Sequence, residues 1–298
     1  MQFHKPVIET PAAGANRILT GLLDSIGDRL AGQTHLSDSN IHEIRKTCKK
    51  LRAVLRLIRP ALDLDRFRTL DRLIRDFARQ LAGLRDTRVM RDTLDLLGRH
   101  FAPVLHEQAL APVVAALEQG SAKSAGAAAV TADAAVLQTH LTEIVAAAGQ
   151  LDFRPIGADT LLAGLEQSYR RGRRALAQME AAPDTENSHS LRRQAKYQYY
   201  QLRMLAGWNA QLLHALVENF HRLEDTLGKD HDLALLGEAL GSRPQLCPDA
   251  VRRELLQALV ESRRIALMTQ ALRLARGLYR PKPGRYRSWL ENTCQQPA

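Results

Sequence analysis

Long apolar runs are missing from this sequence. No stretch approaches the roughly 20 residues a helix needs to cross a bilayer, so no membrane-spanning segment is expected. Met1 to Gly14 hold no apolar stretch of signal-peptide length, and the expected location is the cytoplasm. Cysteine is scarce too: Cys48, Cys247 and Cys294 are odd in number and lack C-x-x-C spacing. That argues against a disulfide framework or zinc site and for a reduced protein. Aromatic residues make up only 5% and no segment alternates at period two, so neither a β-sandwich nor any other sheet is expected. Enzyme motifs are absent as well: no Gly-rich phosphate loop, no Gly-x-Ser-x-Gly elbow, no carboxylate cluster for magnesium. His42-Glu43 begins like a zinc-protease helix, but the second histidine would fall at Lys46. The expectation is a protein that is no enzyme and holds neither metal nor cofactor.

What is present is positive charge. The net charge of +10 and pI near 9.9 favour a polyanionic partner: nucleic acid, an acidic membrane surface or polyphosphate. The charge is segregated. Read as a helix at about 100° per residue, Ile41 to Arg59 places Ile44, Leu51, Val54, Leu55 and Ile58 on one side. His42, Arg45, Lys46, Lys49, Arg52 and Arg56 gather on the other, with Glu43 off the edge of the stripe. Like charges one turn apart repel by a few tenths of a kcal/mol per pair. A helix meant only to be soluble would alternate signs, so this one points to an anionic ligand.

The pattern returns. His189, Arg192, Arg193, Lys196 and Arg203 repeat the offsets of His42, Arg45, Lys46, Lys49 and Arg56. Leu84-Arg85-Asp86 follows the first stretch at nearly the distance that Lys229-Asp230-His231-Asp232 follows the second, which reads as an internal duplication. The two His-x-x-Arg-(Lys/Arg)-x-x-Lys stretches, each with its Arg-Asp or His-Asp turn, resemble the CHAD family, the histidine-containing α-helical domain, over roughly residues 14–280. The resemblance implies an all-α fold of two pseudo-symmetric bundles whose basic helices line a central groove or pore that binds inorganic polyphosphate. It also implies association with polyphosphate granules. Tyr169-Arg170-Arg171 resembles the family's Tyr-Arg-Arg segment, and Arg173 and Arg174 of that patch join the expected ligand set. One departure stands out: Tyr197-Gln198-Tyr199 occupies the place of Lys50-Leu51-Arg52, leaving the second stripe less charged.

Along the chain, residues 1–13 read as a loose tail and Asn16 to Leu30 as a helix. Ser37, Asp38 or Ser39 caps the basic helix and Pro60 stops it. A helix from Asp63 to Leu81 has a mixed Arg/Asp face expected to be solvated. Asp86 and Asp232, each expected near a helix start, read as caps or orienting partners rather than catalysts. Residues 120–133, small and bland, divide the halves 14–119 and 134–280. Helices are expected from Asn209 to Leu227, after Asp230, and from Asp249 to Leu278; residues 281–298 read as an irregular basic tail.

His42 and His189, which open the matching stripes, are expected to donate hydrogen bonds to phosphate oxygens, gaining charge below neutral pH. A stripe mixing Lys and Arg suits a flexible phosphate chain with no bases to read. The alternative is a nucleic-acid-binding module, for which Tyr197, Tyr199 and Tyr200 would be stacking platforms.

Overall fold

The computed structural model describes residues 9–81, 86–102, 105, 110–119, 134–206 and 210–295. Every regular element among them is a helix. In order these are α1 (Pro11–Leu30), α2 (Asp38–Ile58), α3 (Leu64–Gln80), α4 (Asp86–His100) and α5 (110–119). Then come α6 (Ala134–Gly149), α7 (Ala158–Ala181), α8 (Thr185–Leu205), α9 (Ala210–Ser242), α10 (Ala250–Leu278) and α11 (Pro283–Gln295).

Local chemistry sets many of the boundaries. Of the three candidate caps for α2, Ser37 holds the position, its hydroxyl accepting from the Asn40 N–H at 3.2 Å. Pro60 ends the helix through a 3-10 turn, Arg59–Ala61. Asp63 caps α3 and Asp184 caps α8. The first helix begins earlier than expected, because Thr10 caps Ala13 with Pro11 in the first turn. Residues 1–8 of the expected tail lie outside the described residues.

Two compact units result. Met1–Ala82, Ala132–Glu224 and Ala275–Ala298 form one; Gly83–Thr131 and Asp225–Leu274 form the other. Each draws on both sides of the 120–133 stretch, so the compact units are not the two sequence halves. The reason is packing: α2 finds its apolar partners in α7 and α8 as well as in α1 and α3. The 120–133 stretch itself lies outside the described residues.

In the first unit Ile44, Leu51, Val54, Leu55 and Ile58 of α2 are all buried, as are Ile18, Leu22, Ile26 and Leu30 of α1. Gly164 lets the backbone of α7 meet that of α2, since a Cβ there would overlap the Leu57 carbonyl oxygen. Buried amides tie the packing together. Gln198 Nε2 donates to the Leu165 carbonyl at 3.0 Å and its Oε1 accepts from Tyr286 Oη at 3.0 Å. Gln201 Nε2 donates to the Ala53 carbonyl at 3.1 Å and to Ser168 Oγ at 3.0 Å. The second unit has its own core, including Leu94, Leu97, Val113, Leu236, Leu256 and Val260.

Three expectations are corrected. Residues 210–242 form one helix, although a break was expected near Gly228. A helical glycine costs about 1 kcal/mol, less than the burial of Leu223, Leu227, Leu233, Leu236 and Leu240 along α9 returns. Asp232 therefore lies in mid-helix and caps nothing; Asp230, only 3% exposed, is the buried acid, paired with Arg264 at 3.2 Å. The basic tail is also helical, because Tyr286 and Leu290, one turn apart, are both buried. Asp86 does open α4, with its side chain outside the described residues.

Candidate functional site: two cationic helices side by side

Within the first unit α2 packs directly on α8, so the two basic stripes meet. Lys49 lies at their junction. Burial, then Lys196, Arg192 and Arg45, push its ammonium down to about 7, with Glu224 opposing them. Partial desolvation together with Arg193, Arg192 and Lys49 lowers the His189 imidazole. Six of the thirteen predicted residues, Arg45, Lys49, His189, Arg192, Arg193 and Lys196, thus form one electrostatic cluster.

Lys46 and Arg203 lie on another flank, around Lys50, whose ammonium is lowered by burial and by these two neighbours. His42 shares this flank through Glu43, which lies 3.3 Å from Lys46 Nζ and 3.9 Å from the imidazole. Arg203 donates to Tyr199 Oη at 3.2 Å and lies 5.6 Å from its ring centroid.

Arg52 and Arg56 stand at the far end of α2. Both grip Asp71 of α3, at 2.8 and 2.7 Å, and hold its carboxyl near 2 against the opposing pull of burial. Arg56 also stacks on Tyr197, 4.6 Å from the ring centroid. Acids therefore reach the stripe from other elements: Asp71 here, and Glu224 of α9 on Lys196 at 2.8 Å. The mixed face of α3, expected to be solvated, contributes one of them.

Arg171 and Arg59 were missed. Burial, then Arg59, Arg56 and Arg174, lower the Arg171 guanidinium, which places all four arginines together. Two signals were available. Arg59 continues the spacing of 45, 49, 52 and 56, and Arg171 falls on the helical face of Gly164, Ser168 and Ala175 that packs inward. Arg174 is exposed beside Arg171. Arg173 instead donates to the carbonyls of Arg280 and Pro281, pinning the turn between α10 and α11.

The tyrosines are not open platforms. Tyr197 and Tyr200 are buried beside Ala53, and Tyr199, half-buried, stacks on His221 at 4.8 Å between centroids. Cys48 and Cys247 are free and buried, and burial pushes the Cys48 thiol up to about 12 despite three nearby cations. No described helix is long and apolar enough to cross a membrane.

Comparison with known proteins agrees with this architecture. The family model "CHAD domain" matches residues 17–241. A crystal structure of the CHAD domain from the plant Ricinus communis is similar, with a TM-score of 0.65 over 94% of this chain and 95% of that one. At 17% identity this is a likeness of fold. No curated protein sequence matches. With three quarters of its length matched by the family model, the chain belongs to the CHAD-domain family.

Proposed function

We propose that the protein binds inorganic polyphosphate along the joined faces of α2 and α8, performs no chemistry on it, and resides in the cytoplasm on polyphosphate granules. The observation that carries this reading is the packing of α2 on α8, which gathers Lys49, Lys196, Arg192, Arg45 and His189 at one junction. Family membership adds weight, since CHAD domains are associated with polyphosphate generally. The reading is of binding alone because the nearest carboxylates, Glu43, Asp71 and Glu224, are each engaged by a cation. Polyphosphate is preferred to single-stranded nucleic acid because Tyr197 and Tyr200 are buried and Tyr199 is occupied by His221, leaving no stacking surface in the stripe.

The direct test is titration with long-chain polyphosphate in competition with single-stranded DNA at fixed salt, then across a salt series. Polyphosphate is expected to displace the DNA and to bind more weakly as salt rises, because condensed counterions return to the polyanion. Preference for DNA, or indifference to salt, would refute the site. In cells, a fluorescent fusion should follow a polyphosphate stain; a diffuse signal over stained granules would refute the localisation.

Binding should also take up protons. The folded pKa of Lys49 is lowered, so between about 7 and 10.5 the unfolded chain holds the extra proton and this residue's contribution to stability rises with pH. A polyanion favours the charged ammonium. Affinity should therefore fall as pH climbs above about 7, and calorimetry near pH 8 in buffers of different ionisation enthalpy should reveal proton uptake. Lys49→Arg, always charged, should lose the Lys49 share. Undiminished uptake in that variant would remove Lys49 from the site.

A further inference from the structure

Away from the stripes, the first unit holds a cleft of about 870 Å³ where α9, α10 and α11 meet. Its apolar lining includes Leu216, Leu278 and Tyr286, and Trp289, 44% exposed, forms a wall. Arg280, Lys282 and Arg285 line it too, all three exposed. No acid lines it. Three acids of the same unit are held elsewhere: Arg287, on another face of α11, takes Glu291 at 2.7 Å, Glu166 at 3.7 Å and Asp159.

The cleft is built on a fixed turn. Tyr169 Oη donates to the carbonyls of Leu278 at 3.1 Å and Pro281 at 3.0 Å, and Arg173 donates to those of Arg280 and Pro281. Tyr286 is stacked on Tyr169, with ring centroids 3.9 Å apart, and its hydroxyl is spent on Gln198. The floor is therefore rigid and offers a ring rather than a polar group. The first turn of α11 adds the positive end of a helix dipole beside the three cations.

Two features need one ligand. Three like charges around one cleft call for several adjacent negative charges. An exposed indole over an apolar floor calls for a flat unsaturated ring, which inorganic polyphosphate lacks. We infer that this cleft binds a nucleoside di- or triphosphate, its base against Trp289 and its phosphates on Arg280, Lys282 and Arg285.

The test uses the full-length protein labelled with ¹⁵N. The sequence has two tryptophans, and Trp289→Phe assigns their indole N–H signals. ATP should shift the Trp289 signal saturably. Inorganic tripolyphosphate, which carries similar charge but no base, should bind at least about fivefold more weakly, the lower end of what stacking one base contributes. Arg280→Glu/Lys282→Glu should weaken ATP at least tenfold, whereas Lys46→Glu/Lys49→Glu should leave ATP affinity at the cleft unchanged. Equal binding of ATP and tripolyphosphate, an unmoved Trp289 signal, or loss of ATP binding in the stripe variant would each overturn the assignment. The stripe reading stands or falls separately, on long-chain polyphosphate.

Discussion

Reversing Lys46 and Lys49 to Glu is expected to lower affinity for long-chain polyphosphate at least about 100-fold, while Arg72→Glu/Arg79→Glu lowers it less than about fivefold. The two variants change net charge equally, so a global field would weaken both alike. Contact charges act differently: losing a desolvated, hydrogen-bonded charge costs about 2–5 kcal/mol, whereas charges beyond a Debye length of ~8–10 Å are largely screened. Arg72 is exposed on α3 and Arg79, 70% exposed, pairs with Asp76 at 3.4 Å, so the control disturbs little. The structure adds a second readout. A glutamate at position 49 would meet Lys196, Arg192 and Arg45, all of which now repel the lysine. The double variant should therefore melt close to the parent, attraction to these cations offsetting repulsion from Glu224 at position 49 and from Glu43 at position 46. Affinity falling while stability holds is the signature of a binding stripe. Equal losses in both double variants would leave the protein merely basic.

Gly164→Ala should be the most destabilising small substitution in the first unit. The added Cβ would overlap the carbonyl oxygen, carbon and Cα of Leu57, and backbone in a buried helix cannot swing aside as a side chain can. The expected loss is at least about 3 kcal/mol, the upper end of overpacking penalties. For a chain of this size that lowers the melting temperature by roughly 6–12 °C. Gly277→Ala is the control: nothing lies within 4 Å of its Cβ, and alanine is the better helix former there. Thermal unfolding followed by circular dichroism compares them. Matching melting temperatures would show that α2 and α7 do not meet as closely as described. Because α2 carries Arg56, the turn that follows it carries Arg59 and α7 carries Arg171, the Gly164 variant should also loosen that arginine group.

Helical period and caps are local properties, and they were legible. Ile44, Leu51, Val54, Leu55 and Ile58 are buried as their spacing required, and Ser37 and Pro60 bound α2 as their chemistry dictates. The stripes were legible for the same reason: position along a helix determines which side chains share a face. What each cation meets was not. Asp71 reaches Arg52 from 19 residues away and Glu224 reaches Lys196 from another helix, so part of the positive face is neutralised by acids the stripe itself lacks. Lys49 and Lys46 look alike in sequence and are both partly exposed, yet only Lys49 is hemmed in by Lys196, Arg192 and Arg45. Tyr197 looked like a base platform and is packed under Arg56, and Gln198, at the point of departure from the family pattern, is sealed between Leu165 and Tyr286. The helix in the Pro- and Arg-rich C-terminal segment was hidden too, since its apolar residues are few and gain their weight only by burial. Sequence determined most of the helices and which residues face together, because both follow from a repeat of 3.6 residues. Tertiary structure decided which charges are paired, buried or open, because desolvation and ion pairing depend on neighbours distant in the chain.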